Sequence, residues 1–279
     1  MLSQGDFKRL ARFIEGYCGI RMPDSKRTML EGRLRRRLTA LRLDDYHQYC
    51  RYLFDEDGLA EEAVHLIDAV TTNKTDFFRE PEHFRYLAST ALPDLLNSRG
   101  GGRTSRLVVW SSACSVGAEP YTLAMVLADL SAQGAAQGAG FDFTVLATDI
   151  STRVLDKAAQ GIYPEDMVAP VPPEYRRAFF MRARDHQRHE MRVVPELRAK
   201  VQFTRMNLLE DSYPLDQPAD VVFCRNVLIY FDKLTQQRVL ERLCGALRPG
   251  GYLFLGHSET VGNHHPTIVQ VAPTVFVRI

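Results

Sequence analysis

Apolar positions in the first seventy residues recur at helical spacing. Phe7, Leu10, Ile14 and Tyr17 lie three or four residues apart, with Ser3 placed to cap the helix and Gly19 to stop it. Pro23-Asp24-Ser25 opens a second helix. Its apolar stripe is Leu30, Leu34, Leu38 and Leu41, and Lys26, Arg33, Arg36 and Arg37 fall on the opposite side. Two shorter helices are predicted over 46–54 and 59–70. No strand pattern interrupts them, so 1–70 reads as a small helical bundle. Residues 71–80 (TTNKTDFFRE) are polar and aromatic, end at Pro81 and read as a linker. A helix over 82–96 and a flexible loop at Gly100-Gly101-Gly102 complete a connecting segment, 71–105.

Beyond Arg106 short apolar runs alternate with helical patterns. Strands are predicted at 107–110, 143–148, 201–204, 221–224 and 252–255. Pro120 occupies a first helical turn, and Leu123, Ala124, Leu127 and Leu130 line the helix behind it. Ser151 is placed to cap a helix through Leu155 and Ala159, and another helix spans 234–247. Arg248-Pro249-Gly250-Gly251 reads as a turn into the fifth strand, and 267–272 with 274–277 as a hairpin around Pro273. This rhythm predicts an α/β domain over 106–279, a doubly wound parallel sheet whose ligands bind beyond the carboxyl ends of the strands. Residues 161–200 break the rhythm. They carry Pro170, Pro172 and Pro173, with weak strand character only over 191–194, and read as an insertion.

Composition narrows the class. With 279 residues, 45% hydrophobic content and a net charge of +1, the chain is not mainly disordered. No stretch approaches the ~20 apolar residues of a membrane span. Asp6, Lys8, Arg9 and Arg12 interrupt any secretory signal core. Five cysteines without a C-x-x-C pair argue against a disulfide framework or a zinc ribbon, and a cytoplasmic setting is expected. The near-neutral total hides an asymmetry: residues 1–45 carry a balance of +5 and the remainder −4. A basic front end on a slightly acidic body suggests an acidic partner.

The first strand runs into Ser111-Ser112-Ala113-Cys114-Ser115-Val116-Gly117-Ala118-Glu119-Pro120. Small residues there let a ligand approach the backbone, although the G-x-G-x-x-G dinucleotide fingerprint is absent. Singly, Glu119 reads equally well as a favourable charge at a helix start, and Asp149 as a turn residue. Together, at successive strand ends, they favour an adenosine-containing ligand, with Asp149 accepting from a ribose diol.

ACSVGAEPYTLAM resembles the first motif of the CheR-type chemotaxis methyltransferases. So do TTNKTDFFRE, ATDIS (147–151), NLL (207–209), FCRNVLIYFD (223–232) and LRPGGYLFLGHSE (247–259), in the family's order and spacing. The resemblance implies an S-adenosylmethionine-dependent enzyme that methylates glutamate side chains of chemoreceptors and releases S-adenosylhomocysteine. It implies a helical, basic N-terminal domain, a Rossmann-like methyltransferase domain, and a small antiparallel β subdomain inserted at 161–200. Carried over residue by residue, the cofactor contacts are Asn73, Thr75, Arg79, Glu119, Asp149, Asn207, Leu208, Arg225 and Asn226. Arg79 and Tyr230 match positions near the transferred methyl. Ala118 departs from the family, which usually has a second acidic residue there.

Arg33, Arg36 and Arg37 lie about a turn apart and, under the resemblance, form a dock for the acidic methylation region of a methyl-accepting chemoreceptor cytoplasmic domain. Most basic helix faces are simply solvated, and that reading competes. No metal, nucleic acid partner or membrane insertion is expected, and a monomer is. His186/His189 and His264-His265 lack zinc-ligand spacing, and Cys114 and Cys224 read as apolar fillers. Two alternatives stay open. One is a methyltransferase for another substrate class, although Asn226-Val227-Leu228-Ile229-Tyr230 lacks the Asn/Asp-Pro-Pro-aromatic motif of adenine methylases. The other is a non-catalytic ligand-sensing module on the same fold.

Overall fold

The computed structural model describes residues 1–98, 106–137, 139–259 and 266–279. The expected loop at Gly100-Gly101-Gly102 and the pair His264-His265 lie outside these residues, as does the His186 side chain.

Helix α1 (Gln4–Cys18) begins where the Ser3 hydroxyl accepts the Asp6 N–H and ends at Gly19, at φ 73°. A Cβ at that glycine would sit 2.9 Å from Leu209 and 3.0 Å from Phe231, so the missing side chain lets the helical domain settle onto the α/β domain. Helix α2 (Arg27–Leu41) starts later than its sequence suggests, because Asp24–Lys26 forms a 3₁₀ turn first. Leu30, Leu34 and Leu38 are buried against α1, α3 (Tyr46–Asp55) and α4 (Leu59–Val70), while Leu41 is only half-buried. The bundle also contains a buried polar knot. Arg37 donates to both carboxylate oxygens of Glu62 at 2.7 Å, and the Tyr49 hydroxyl donates to the same carboxylate at 2.9 Å.

The connecting helix is not regular throughout. Helix α5 (Pro81–Tyr86) widens to a π-helical segment over Leu87–Ala91 and continues as α6 (Leu92–Ser98). Pro93 lacks an N–H and its ring crowds the carbonyl four residues back, and a widened turn just ahead of it relieves both.

The α/β domain holds a seven-stranded sheet of β1 (Leu107–Ser112), β2 (Phe143–Asp149), β6 (Val201–Arg205), β7 (Ala219–Cys224), β8 (Leu247–Leu255), β9 (Ile268–Ala272) and β10 (Val275–Arg278). Their order is β6-β2-β1-β7-β8-β10-β9. The first five are parallel, and β10 runs antiparallel to both neighbours. Helices α7 (Ala118–Ala136), α8 (Thr152–Gln160) and α12 (Lys233–Ala246) make the crossovers. The two faces of the sheet carry separate cores, one around Tyr121, Phe223 and Phe254, the other around Trp110, Leu243 and Leu253.

Two local expectations are corrected. Residues 248–251 are not a turn ahead of the last parallel strand. They lie inside β8 as an irregularity opposite the register shift at Ala219/Val221, with Gly250 at φ 74°. Ser151 occupies the N-cap of α8 but its hydroxyl makes no cap bond. The Asp149 carboxylate takes the Ser151 N–H instead, at 2.9 Å.

The insertion is the small antiparallel β subdomain that the resemblance implies, with three strands where the residue pattern alone marks one. Strands β3 (Ile162–Pro164), β4 (Phe180–Arg182) and β5 (Glu190–Val193) lie in the order β3-β5-β4, with α9 (Glu165–Val168), α10 (Pro173–Phe179) and α11 (Pro195–Arg198) around them. β3 and β4 have three residues each, too short to show an alternation. All five cysteines are unpaired and buried. Among the described residues no helix is long and apolar enough to cross a membrane.

Replacing Glu62 by Ala strands the Arg37 guanidinium and the Tyr49 hydroxyl in a site where Glu62 itself is only 2% exposed. The expected loss is roughly 3 kcal/mol or more, read as a lower urea midpoint with an unchanged slope.

Candidate functional site

The strand order reverses at β1. The connection from β1 leads to β2 on one side, while β7 flanks it on the other, which opens a crevice at their carboxyl ends. The backbone of residues 113–117 folds tightly there: Ala113, Ser115 and Gly117 adopt φ of 57°, 52° and 91°. Only glycine fits position 117, since a Cβ would lie 2.8 Å from both Ala158 and the Tyr163 hydroxyl. Hydrogen bonds fix this loop to β2, with the Cys114 N–H on Thr148 O and the Ser115 N–H on the Asp149 carboxylate, each at 2.9 Å. The Ser115 hydroxyl donates to Asn73 O at 2.9 Å and so draws in the segment after α4.

The crevice is a cleft of ≈ 430 Å³, within the range of small-molecule sites. Asn73, Thr75, Arg79, Glu119, Asp149, Asn207, Leu208, Arg225, Asn226 and Tyr230 all line it. Residues 71–80 are therefore a wall of the cleft as well as a linker. Ala118 does not line it. This residue is fully buried at the start of α7 and packs into the core on that face of the sheet.

The floor is built on charge. Arg225, 6% exposed, follows β7 and reaches Glu119 at 3.2 Å and Glu80 at 3.1 Å, and it also donates to Arg79 O. Its guanidinium lies 5.5 Å from the centre of the Phe84 ring. Glu119 accepts the Ser111 hydroxyl at 2.7 Å. Burial pushes the Glu119 carboxyl above the ordinary carboxylate range, against the opposing pull of Arg225. Burial also works against charge on Glu80, but Arg225 and the Asn226 amide hold its carboxyl below that range. Asp149 is raised by burial, against the N–H groups of Ser151 and Ser115. Ser115 and Ser151 donate to different oxygens of it, and the carboxylate keeps acceptor capacity for another donor.

The remaining expected residues differ in how they are engaged. Among the described residues, the Arg79 guanidinium makes one long hydrogen bond, to Lys74 O at 3.3 Å. Tyr230 ends a 3₁₀ turn, Leu228–Tyr230, and its carbonyl accepts the Arg21 N–H at 3.0 Å. Asn207 donates its amide to Tyr17 O at 2.6 Å, so its side chain ties the two domains together. The thiols of Cys114 and Cys224 are pushed well up by burial and match the apolar-filler reading.

Arg33, Arg36 and Arg37 share a groove between α2 and α4 that meets the cleft at residues 71–73. They are not equivalent there. Arg33 donates to Val70 O, Thr71 O and the Thr72 hydroxyl, and Arg37 is held by Glu62, whereas Arg36 is exposed.

Sequence reasoning missed five residues that shape the cleft. Ile20, Met22 and Met29 from the helical domain roof the cleft, and nothing in their spacing marks that role. Glu80 is half of the Arg225 clamp. Glu259, 4% exposed, accepts the N–H groups of Asn226, Val227, Leu228 and Gly256 at 2.7–3.0 Å and fixes the loop after β7, where Asn226 holds φ 59°. Its place at the end of LRPGGYLFLGHSE is the one signal it left. Glu259→Ala leaves four donors without their acceptor, two buried and two half-buried, at about 1–3 kcal/mol for each that water does not reach. The expected result is a loss of several kcal/mol in urea unfolding, with Glu259→Gln intermediate.

Comparison with known proteins agrees with this architecture. Residues 5–71 match the CheR methyltransferase all-alpha domain, and 73–277 match the CheR methyltransferase SAM-binding domain. A chemotaxis protein methyltransferase of Salmonella typhimurium is 42% identical over 94% of this chain and 86% of its own length. Chemotaxis protein methyltransferase 2 of Pseudomonas aeruginosa is 39% identical over 97% and 92%, and the chemotaxis protein methyltransferase of Escherichia coli 41% over 99% and 91%. With both domains matched in order over nearly the whole chain, the protein belongs to the CheR family of S-adenosylmethionine-dependent methyltransferases.

Proposed function

We propose that the protein transfers a methyl group from S-adenosylmethionine to glutamate side chains of chemoreceptor cytoplasmic domains, forming methyl esters. The observation that carries this reading is the convergence of all ten expected residues on one cleft at the topological switch point. The donor set suits the cofactor. Asp149 keeps lone pairs for a ribose diol, small residues 113–117 let an adenosine approach the backbone, and the clamp of Glu119 and Arg225 offers both signs of charge to an amino acid group. When bound, S-adenosylmethionine supplies a methyl on a sulfonium, which a nucleophile displaces in line.

The chain's own part is alignment. A glutamate carboxylate, with an ordinary pKa near 4.3, is already ionised at neutral pH and needs no general base. The lightly engaged Arg79 is suited to hold that carboxylate, and Tyr230 to orient it or the cofactor's amino acid end. An anionic nucleophile and a cationic donor lose their charges together, so water exclusion by the apolar roof of Ile20, Met22 and Met29 favours the reaction.

Methyl-labelled S-adenosylmethionine and receptor cytoplasmic domains test the activity. Mild alkali releases methanol from a carboxyl ester but not from N-methyl adducts. Receptor-dependent volatile label is expected, falling roughly 100-fold in Arg79→Ala, and stable label or none contradicts the reading. The groove of Arg33, Arg36 and Arg37 is the proposed receptor dock. Arg36→Glu, the exposed change, is expected to slow receptor methylation at low salt while leaving S-adenosylhomocysteine affinity unchanged in calorimetry. Equal rates would remove the dock. Arg37→Glu is the wrong test, because it sets a carboxylate against Glu62.

A further inference from the structure

Behind the floor of the cleft, on the far side of Arg225, Glu80 meets two histidines. His83 is 2% exposed, on the first turn of α5, and His257 follows β8 at the surface. One oxygen of Glu80 lies 3.5 Å from His83 Nδ1 and 3.8 Å from His257 Nε2, and the three atoms all fall within 4.8 Å of one another.

The hydrogen bonding makes this arrangement unusual. His83 Nε2 sits 2.8 Å from the Thr274 hydroxyl, and that hydroxyl donates its own proton to Pro273 O. With its proton on Nε2, toward the Thr274 oxygen, His83 presents an Nδ1 lone pair to Glu80. That lone pair faces a carboxylate oxygen, 3.5 Å away, whose ion-pair partner is Arg225. His83 Nδ1 is buried and, among the described residues, has no hydrogen-bond partner. A buried imidazole nitrogen without a partner is costly in a dry site, and a cation on its lone pair removes that cost.

We propose that Glu80, His83 and His257 form a binding site for a divalent transition metal ion of the zinc class. Two imidazoles and a carboxylate are a borderline-soft donor set that suits zinc over magnesium or calcium. Bonds of 2.0–2.2 Å set tetrahedral ligands about 3.3–3.5 Å apart, so only modest closure from the observed spacings is needed. Thr274 orients His83 through its other nitrogen, the usual support for a ligating imidazole. Arg225 also reaches this Glu80 oxygen, at 3.1 Å, but the guanidinium is shared with Glu119. Two carboxylates around one guanidinium leave a negative balance for a second cation. Half-exposed His257 gives the ion its way in. The site shares Glu80 with the Arg225 clamp of the cleft, but its assignment does not depend on the methyl-transfer reading.

The test is calorimetric titration of zinc chloride into the full chain after chelator treatment, in a buffer that does not bind zinc. One equivalent is expected to bind in the micromolar range or tighter. His257→Ala, a surface change that leaves the fold alone, should weaken binding at least ~10–100-fold. Cobalt in place of zinc should show visible d–d bands without a thiolate charge-transfer band. No saturable binding, equal affinity in His257→Ala, or a thiolate band from one of the five cysteines would each overturn the proposal.

Discussion

A single guanidinium organises the functional end of this molecule. Arg225 leaves β7 and is held between Glu119 at the start of α7 and Glu80 at the start of α5, with Arg79 O as a further acceptor. None of these groups is at ease alone. Burial raises the Glu119 carboxyl, and a buried Arg225 without its partners would be an uncompensated charge, a state that costs about 3–5 kcal/mol. Each group therefore fixes the others, and the strand, the helix and the wall segment that carry them are locked in one arrangement. The backbone follows suit. Glu259 gathers the N–H groups of the loop that contains Asn226, and Asp149 gathers those of Ser115 and Ser151. The cleft is thus shaped before a ligand enters, which lowers the ordering cost of binding and reaction.

The helical domain is part of this site rather than an appendage. Gly19 permits close approach to Leu209 and Phe231, Tyr17 O takes the Asn207 amide, Arg21 binds Tyr230 O, and Thr152 donates to Asp68 at 2.9 Å. These contacts bring Ile20, Met22 and Met29 over the cleft and place the groove of Arg36 beside it. In the proposed reaction, the element that recognises the receptor also excludes water from the transferred methyl.

How much of this was readable in the chain follows from the range of the interactions. Helical stripes such as Leu30, Leu34 and Leu38, and apolar runs such as 221–224, are local patterns, and they located the bundle and the parallel strands. Strand-end acids are also local, so Glu119 and Asp149 stood out, and the family motifs drew in Arg79, Arg225 and Tyr230. Short range failed elsewhere. Strands of three residues in the insertion have no period to detect, the β8 irregularity mimics a turn through Pro249 and Gly250, and the π segment before Pro93 looks like ordinary helix. Glu80, Glu259 and the roof residues act through partners distant in sequence. Arg33 and Arg37 share a helix face with Arg36, yet Val70, Thr71 and Glu62, which engage them, belong to other segments.

The central claim is that this preformed cleft holds the cofactor with its reactive end toward Arg79 and Tyr230. A crystal structure of the full chain with S-adenosylhomocysteine tests it most directly. The account predicts the ribose hydroxyls on Asp149, the amino acid end near the Glu119–Arg225 clamp, the sulfur facing Tyr230, and the Glu80–Arg225–Glu119 ion pairs intact. A product seated outside the cleft, or a clamp broken to admit it, would contradict the account.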